Sequence, residues 1–399
     1  MTQRYSTDIV IFGGGIAGCW LLNKLVNEGY DAILIEQDEL GGGQTFLSQG
    51  IIHGGLKYAL NGALTGATNA IANMPQRWRD CLAGNADVDL RGVKVLSQNY
   101  YMWSNSGIRS KLKTFLGSKS LRGRVEAVAI DEYPSFFAAA NSLGTLYKLP
   151  DFVVETESLL ATLVAAQKHR IFRASNHDIN FHRDSAGAVS SIAIETASGP
   201  IIIDTQRTIF AAGKGNQALI ERANLRSIKM QLRPLNMVYL KSKNLTPVFV
   251  HCIGDSFSLT PKLTVTSHTD ADENTVWYLG GEIAESGVNK PRGEQIEASR
   301  KLLAGLFPWL DLSTATWHCL PVDRAEPAVS SNFRPDDAFI IEEDGIIVAW
   351  PTKLTLAPSL GDMVTKLLAK SEIMATPSTN LAEQLIGLER PKLAVAPWN

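Results

Sequence analysis

Three glycines, one acid and a few charged side chains hold most of the chemistry open to this sequence. Gly13, Gly15 and Gly18 follow a short apolar run, Asp8 to Phe12, and lead into a helical stretch that reaches Glu28; a second run, Ala32 to Ile35, closes on Glu36. In that setting each glycine has a task. Gly13 permits a tight turn, Gly15 lets backbone approach a pyrophosphate, and Gly18 lets the helix lie close to a sheet. The anion would rest on the helix N-terminus, over the N–H groups of Ile16 and Ala17 and the positive end of the dipole. Glu36 can accept hydrogen bonds from a ribose diol and disfavours a 2′-phosphate. The pattern therefore predicts FAD or NAD rather than NADP. A glycine turn with no ligand is the competing reading, and the flanking strand, helix and acid oppose it.

His53, Arg324 and Lys353 stand far from that turn in sequence. Oxidising an alcohol or amine carbon requires a group that takes the O–H or N–H proton while hydride leaves for an acceptor. His53 can do so, because an unperturbed imidazole of pKa about 6.5 is mostly neutral at pH 7; it can also simply hydrogen-bond a cofactor or its own loop. Arg324 offers a planar fork for a carboxylate or phosphate. An ion pair with Asp323 or Glu326 is its structural alternative. Lys353 adds positive charge near a substrate or a reduced cofactor. Lys57, Tyr58 and Tyr278 are further candidate substrate contacts, with surface and sheet-packing roles as their alternatives.

These residues need elements to position them. In the first helix Ala17, Leu21 and Leu25 recur every four residues, which describes burial on a sheet. A glycine-rich loop, Gly41 to Gln44, follows Glu36, then a long helical stretch from about Leu64 to Leu82, a strand from Gly92 to Trp103 and a basic helical segment, Ile108 to Leu121. Leu146 to Glu155 reads as a strand and Thr156 to Gln167 as a helix. Short β segments at Ile171 to Arg173, Val189 to Glu195 and Ile201 to Asp204 lead to a strong strand, Thr208 to Ala212, which turns at Gly213 into a helix through Arg222. That meander and returning strand suit a flavoprotein and shift the choice between FAD and NAD toward FAD. Leu232 to Leu240, Val248 to Cys252, Lys262 to Thr266 and Thr275 to Gly280 give four strands for one antiparallel sheet. A helix from Gly293 to Phe307 follows, then strands Ala338 to Ile341 and Ile346 to Trp350. The last loop delivers a helix N-terminus near Pro358, which could stabilise negative charge on reduced flavin.

The segment Ile52-His53-Gly54-Gly55-Leu56-Lys57-Tyr58 resembles the Ile-His-Gly-Gly-Leu-Arg-Tyr segment of FAD-dependent glycerol-3-phosphate dehydrogenases, within the D-amino-acid oxidase-like superfamily. Val322-Asp323-Arg324 resembles that family's Gly-Val-Arg-Pro strand, Thr352-Lys353-Leu354-Thr355 its Gly-Gly-Lys-Leu-Thr segment, and Ala211-Ala212-Gly213 the turn after its returning strand. Lys57 stands where the family has Arg and Ala325 where it has Pro, and a C-terminal cap domain is not expected. The resemblance implies FAD as cofactor, His53, Arg324 and Lys353 at the reacting end, and a covalent histidyl flavin link as a third role for His53. With the fingerprint it sets the cofactor contacts as Gly13, Gly15, Ile16, Ala17, Gly18, Glu36, Gln37, Thr45, Ser48, Gln49, Gly50, Ile52, Ala211, Ala212, Gly213, Lys353, Leu354 and Thr355.

The resulting expectation is α/β with α+β: a discontinuous Rossmann-like FAD-binding domain (1–85, 150–228 and 335–399) interleaved with an antiparallel-sheet substrate domain (86–149 and 229–334). At 399 residues the chain suits that division. A net charge of −2 provides no basic stripe for nucleic acid. Four dispersed cysteines and seven scattered histidines suggest a reduced, cytoplasmic protein without structural disulfides or a metal site. No apolar run reaches the roughly 18 residues of a membrane span, and peripheral membrane contact stays open without being indicated. The leading function is oxidation of a small, anionic hydroxy acid or polyol phosphate through FAD, with oxygen, a quinone or a protein as electron acceptor. An FAD-dependent amine or amino-acid oxidase, a non-catalytic flavin-binding protein and a nicotinamide enzyme without flavin are the alternatives.

Overall fold

The computed structural model describes residues 3–55, 71–105, 125–140, 143–253, 261–329, 335, 337–377, 379–385 and 387–399. Strand Gln3–Phe12 is central to the first sheet. Ile9, Val10, Ile11 and Phe12 are all buried. Alternation sends Ile9 and Ile11 to one apolar cluster and Val10 and Phe12 to the other, so both faces of this strand are covered. It pairs in parallel with Ala32–Glu36 on one side and with Ile201–Phe210 on the other. Ile171–Arg173 extends the sheet beyond Ala32–Glu36. The long strand Ile201–Phe210 serves two partners on its outer edge. Its first half pairs antiparallel with Val189–Ile194, and its last residues pair parallel with Ile346–Trp350.

Helices Ile16–Asn27, Thr156–Gln167 and Ala357–Lys370 contribute to the cluster on one face. Ile16 to Leu25 are buried without a break, which is how a helix held between a sheet and two other helices reads. The other face is covered by the meander and by Leu219, Ile220 and Leu381.

Among the described residues the second sheet has eight strands, in the order Thr316–Pro327, Met230–Ser242, Thr275–Gly280, Leu263–Thr269, Val250–Ile253, Tyr100–Asn105, Gly144–Leu149 and Glu126–Ala127. All neighbours are antiparallel except Val250–Ile253 with Tyr100–Asn105. A small third sheet joins Ile51–Ile52, Phe152–Val154 and Val95–Ser97.

Several elements differ from what the sequence predicts. The strand from Gly92 to Trp103 is two, Val95–Ser97 and Tyr100–Asn105, because Ser97 Oγ donates to Asn99 O at 2.6 Å in a turn between them. Leu146 to Glu155 likewise divides at Pro150-Asp151 into Gly144–Leu149 and Phe152–Val154, which join different sheets. Ile201 to Asp204 and Thr208 to Ala212 form one continuous strand, and the meander includes Ile179–Arg183, which polar alternation had hidden. The helical stretch to Leu82 is described from residue 71 on, with its main helix Met74–Leu82; residues 64–70 and the segment Ile108 to Leu121 lie outside the described residues.

The end of the chain runs between the two large sheets. Glu389 bridges to Arg173, Leu393 bridges to Leu40, and Trp398 packs among Tyr239, His268 and Tyr278.

Candidate active site

A cleft of about 1950 Å³ opens between the carboxyl ends of the parallel strands and one face of the antiparallel sheet. Pockets for one small ligand run to roughly 300–1,000 Å³. This cleft therefore has room for a dinucleotide and a substrate together.

At its nucleotide end the glycines act through contacts that only proximity in the fold explains. Gly13 has φ +110°, and a Cβ there would lie 2.4 Å from Ala212 Cα on the returning strand. A Cβ on Gly18 would meet Gly13 O at 1.9 Å, whereas one on Gly15 would meet only Thr45 Oγ1, at 3.0 Å. Gly13 and Gly18 thus shape the turn, and Gly15 keeps its surface open. Ile16 N–H donates to Thr45 Oγ1 at 2.9 Å, so Thr45 holds the loop against the helix N-terminus. Glu36 Oε2 accepts from Gly14 N–H at 2.5 Å and Oε1 from Asp38 N–H at 2.9 Å. Burial pushes this carboxyl upward despite those donors. Each oxygen retains an acceptor position for a ribose hydroxyl.

Two polar atoms on the cleft wall, Ser48 Oγ and Trp350 Nε1, are buried without a hydrogen-bond partner among the described residues. An open glycine surface, a helix N-terminus, a placed carboxylate and orphaned polar atoms along one cleft fit a dinucleotide cofactor. Gln37, Gly50, Ala211, Ala212, Gly213, Lys353 and Leu354 line the same cleft. Gly18, Ile52 and Thr355 do not line it: Gly18 supports the turn, while Ile52 and Thr355 are fully buried. Glu389, Arg390 and Lys392 of the terminal segment line it as well, and no local sequence signal marked them.

At the other end the antiparallel sheet forms a wall. Its register aligns Arg233 with Arg324, Leu235 with Val322, Gly280 with Thr264, Thr264 with His251, and His251 with Met102. All of these residues line the cleft. Gly280 has no side chain because Gln49 occupies that space: a Cβ would lie 2.6 Å from Gln49 Oε1. Gln49 Nε2 donates to Tyr278 O at 2.9 Å, docking the loop onto the sheet.

Arg324 is partly buried, donates through Nε to Arg233 O at 3.4 Å and pairs with Glu285 at 3.6 Å. The carboxylates considered as its alternative partners are engaged elsewhere: Asp323 pairs with Lys214 at 2.8 Å, and buried Glu326 pairs with Arg233. Arg233 is thus a second guanidinium on this wall, legible only once strand register is known. His251, also missed, shares a hydrogen bond of 2.9 Å between Nδ1 and Thr264 Oγ1 and lies 4.5 Å from Tyr100, ring to ring.

Thr355 ties the His53 loop to the last helix: its hydroxyl accepts from His53 N–H at 3.3 Å and donates to His53 O at 3.2 Å. His53 Nδ1 accepts from Gly55 N–H at 3.2 Å. A neutral ring in that arrangement carries its proton on Nε2. That geometry favours hydrogen bonding over proton abstraction. Asp151, overlooked inside an expected strand, also lines the cleft and accepts from Gly54 N–H at 2.9 Å. The Pro150-Asp151 pair is the turn signal that could have exposed it.

Tyr278 is not a substrate contact. It is fully buried and its hydroxyl donates to Leu47 O at 2.9 Å, so it packs the sheet and fixes the loop. Lys57 and Tyr58 lie outside the described residues. All four cysteines are free.

A nucleotide-binding parallel sheet opposed across one cleft by an antiparallel sheet carrying ionic groups is the architecture of a dinucleotide-dependent oxidoreductase. Residues 8–367 match the DAO model, described as FAD dependent oxidoreductase, and the chain belongs to that family. It is 43% identical over 400 residues to the probable FAD-dependent oxidoreductase PA4991 of Pseudomonas aeruginosa, covering 100% of this chain and 99% of that one. The crystal structure of PA4991 superposes with a TM-score of 0.85, at 38% identity over 100% of this chain and 99% of the other. L-alpha-glycerophosphate oxidase from Mycoplasma pneumoniae, with FAD bound, has a TM-score of 0.62 at 14% identity, covering 91% of this chain and 95% of that one. Glycine oxidase from Geobacillus kaustophilus has 0.61 at 15%, covering 93% and 99%. At such identities the last two show the shared fold. The protein is an FAD-dependent oxidoreductase, which sets aside the non-catalytic and nicotinamide-only alternatives. No helix among the described residues is long and apolar enough to cross a membrane.

Proposed function

We propose that this enzyme oxidises a small anionic hydroxy acid or polyol phosphate. The observation that supports this reading is the pair Arg324 and Arg233, register partners on adjacent strands that both line the cleft. FAD supplies the hydride acceptor, and oxygen, a quinone or a protein then takes the electrons in the cytoplasm. Arg324 anchors the carboxylate or phosphate through its planar fork, and Arg233, held by Glu326, adds positive potential. His53 donates from Nε2 and orients the oxygen being oxidised. Lys353, with the N-terminal end of helix Ala357–Lys370, favours negative charge at the reacting end.

Glu285 favours a second reading. A carboxylate 3.6 Å from Arg324 on the cleft wall gives adjacent opposite charges, which suit the zwitterion of an amino acid. An anaerobic screen with visible absorbance as readout separates the two. Bleaching by hydroxy acids or polyol phosphates supports the first, and bleaching by amino acids alone replaces it with the second.

A further inference from the structure

Asp151 sits at the crossing between strand Gly144–Leu149 of the large antiparallel sheet and Phe152–Val154 of the small one. It is 3% exposed and lines the cleft beside the His53 loop. Oδ1 holds the Gly54 N–H, while Oδ2 has no hydrogen-bond partner among the described residues. A carboxylate on the cleft wall that is almost wholly removed from water and holds a single N–H is costly to keep ionised, and a proton arriving from a ligand removes that cost. His53 is poorly placed for the same task, since its Nδ1 already accepts from Gly55 N–H.

We propose that Asp151 accepts the proton released by the substrate. The substrate O–H bond breaks toward the Asp151 carboxylate, the adjacent C–H bond gives up its electron pair as hydride to the cofactor, and the carbon–oxygen double bond forms. One proton then resides on Asp151, the hydride and its two electrons on the cofactor, and the product is a carbonyl compound. This assignment rests on the alcohol-oxidising reading above.

Groups surrounding Asp151 keep it basic near neutrality. Arg79, from helix Met74–Leu82, binds Pro150 O at 3.2 Å and lies 4.3 Å over the Phe152 ring, drawing the carboxyl down without an ion pair among the described residues. Tyr100 is buried on the neighbouring strand with His251 against its ring, and His53 lies on the loop that Asp151 holds. Burial outweighs the opposing influences and raises Asp151 to about 7. A base poised there suits catalysis at neutral pH.

The test uses the FAD-loaded enzyme, anaerobic reduction by a hydroxy acid or polyol phosphate between about pH 5.5 and 9, and the variants Asp151→Asn and Asp151→Ser. Flavin reduction in the wild type is expected to rise with pH around a midpoint near 7. Both variants should be slower by roughly 100-fold or more, lose that midpoint and keep flavin content and spectrum. Infrared difference spectra without substrate provide an independent readout: a carboxyl band titrating near pH 7 in the wild type and missing from the variants. Variants within about threefold of wild type, a midpoint that follows His53 substitution instead, or no such band would overturn the proposal. A wild-type flavin left oxidised by every hydroxy acid and polyol phosphate overturns the underlying alcohol reading instead, a result visible before any variant is made.

Discussion

Asp151 has a consequence for stability that does not depend on substrate. Its carboxyl moves from 3.8 to about 7 on burial, a rise of about three units. At about 1.4 kcal/mol per unit the ionised form disfavours the fold by about 4 kcal/mol relative to the protonated form. Because the folded value is the higher one, the unfolded chain releases this proton first as pH rises. The stabilising contribution is fully present below about pH 4 and disappears as pH climbs to about 7, beyond which the loss is constant. Asp151→Asn has no charge to bury and retains an oxygen to accept the Gly54 N–H. Urea unfolding of the wild type and the variant, both FAD-loaded, at about pH 5 and pH 8.5 isolates the effect. The stability difference, variant minus wild type, should shift in the variant's favour by about 3 kcal/mol over that interval, as most of the titration falls within it. A difference that is flat with pH would show that Asp151 is not a buried titrating group.

Three further substitutions separate roles within the glycine turn and the arginine pair. Gly18→Ala places a methyl 1.9 Å from Gly13 O and should cost at least about 2 kcal/mol with loss of bound flavin, whereas Gly15→Ala, limited by Thr45 Oγ1 at 3.0 Å, should fold and bind FAD more weakly; melting curves and flavin content after gel filtration distinguish these outcomes. Arg233→Met leaves Glu326 buried without its cation and should destabilise the protein by about 3–5 kcal/mol in urea unfolding. A stability change below about 1 kcal/mol would mean that the pair contributes little to holding this wall.

Local spacing made the nucleotide end readable. Gly13, Gly15, Gly18 and Glu36 lie within one strand–turn–helix–strand unit, and the helix Thr156–Gln167 has the limits its sequence implied. What the turn touches was not readable, because the Ala212 backbone that excludes a side chain at Gly13 comes from a distant strand. Apolar continuity concealed the strand breaks at Ser97 to Asn99 and at Pro150-Asp151, and the second of these concealed Asp151 with it. Arg324 could be singled out as a guanidinium in a recognisable segment, but pairing it with Arg233 requires the register of two strands about ninety residues apart. Tyr278 shows the reverse error: an aromatic on strand Thr275–Gly280 is buried, with its hydroxyl on Leu47 O, inside the wall rather than on it.

The proposed function requires that Arg324 hold an anion while the neighbouring carbon is oxidised. Its most direct test compares Arg324→Met with the wild type in anaerobic titrations of bound flavin, using an acid substrate and the corresponding neutral amide. Loss of a charged hydrogen-bonding anchor of about 3 kcal/mol corresponds to roughly 100-fold weaker binding of the acid. That fall is expected for the acid, with little change for the amide and similar affinity for the two in the variant. Equal binding of acid and amide by the wild type, or an acid affinity within about threefold after the substitution, would contradict it.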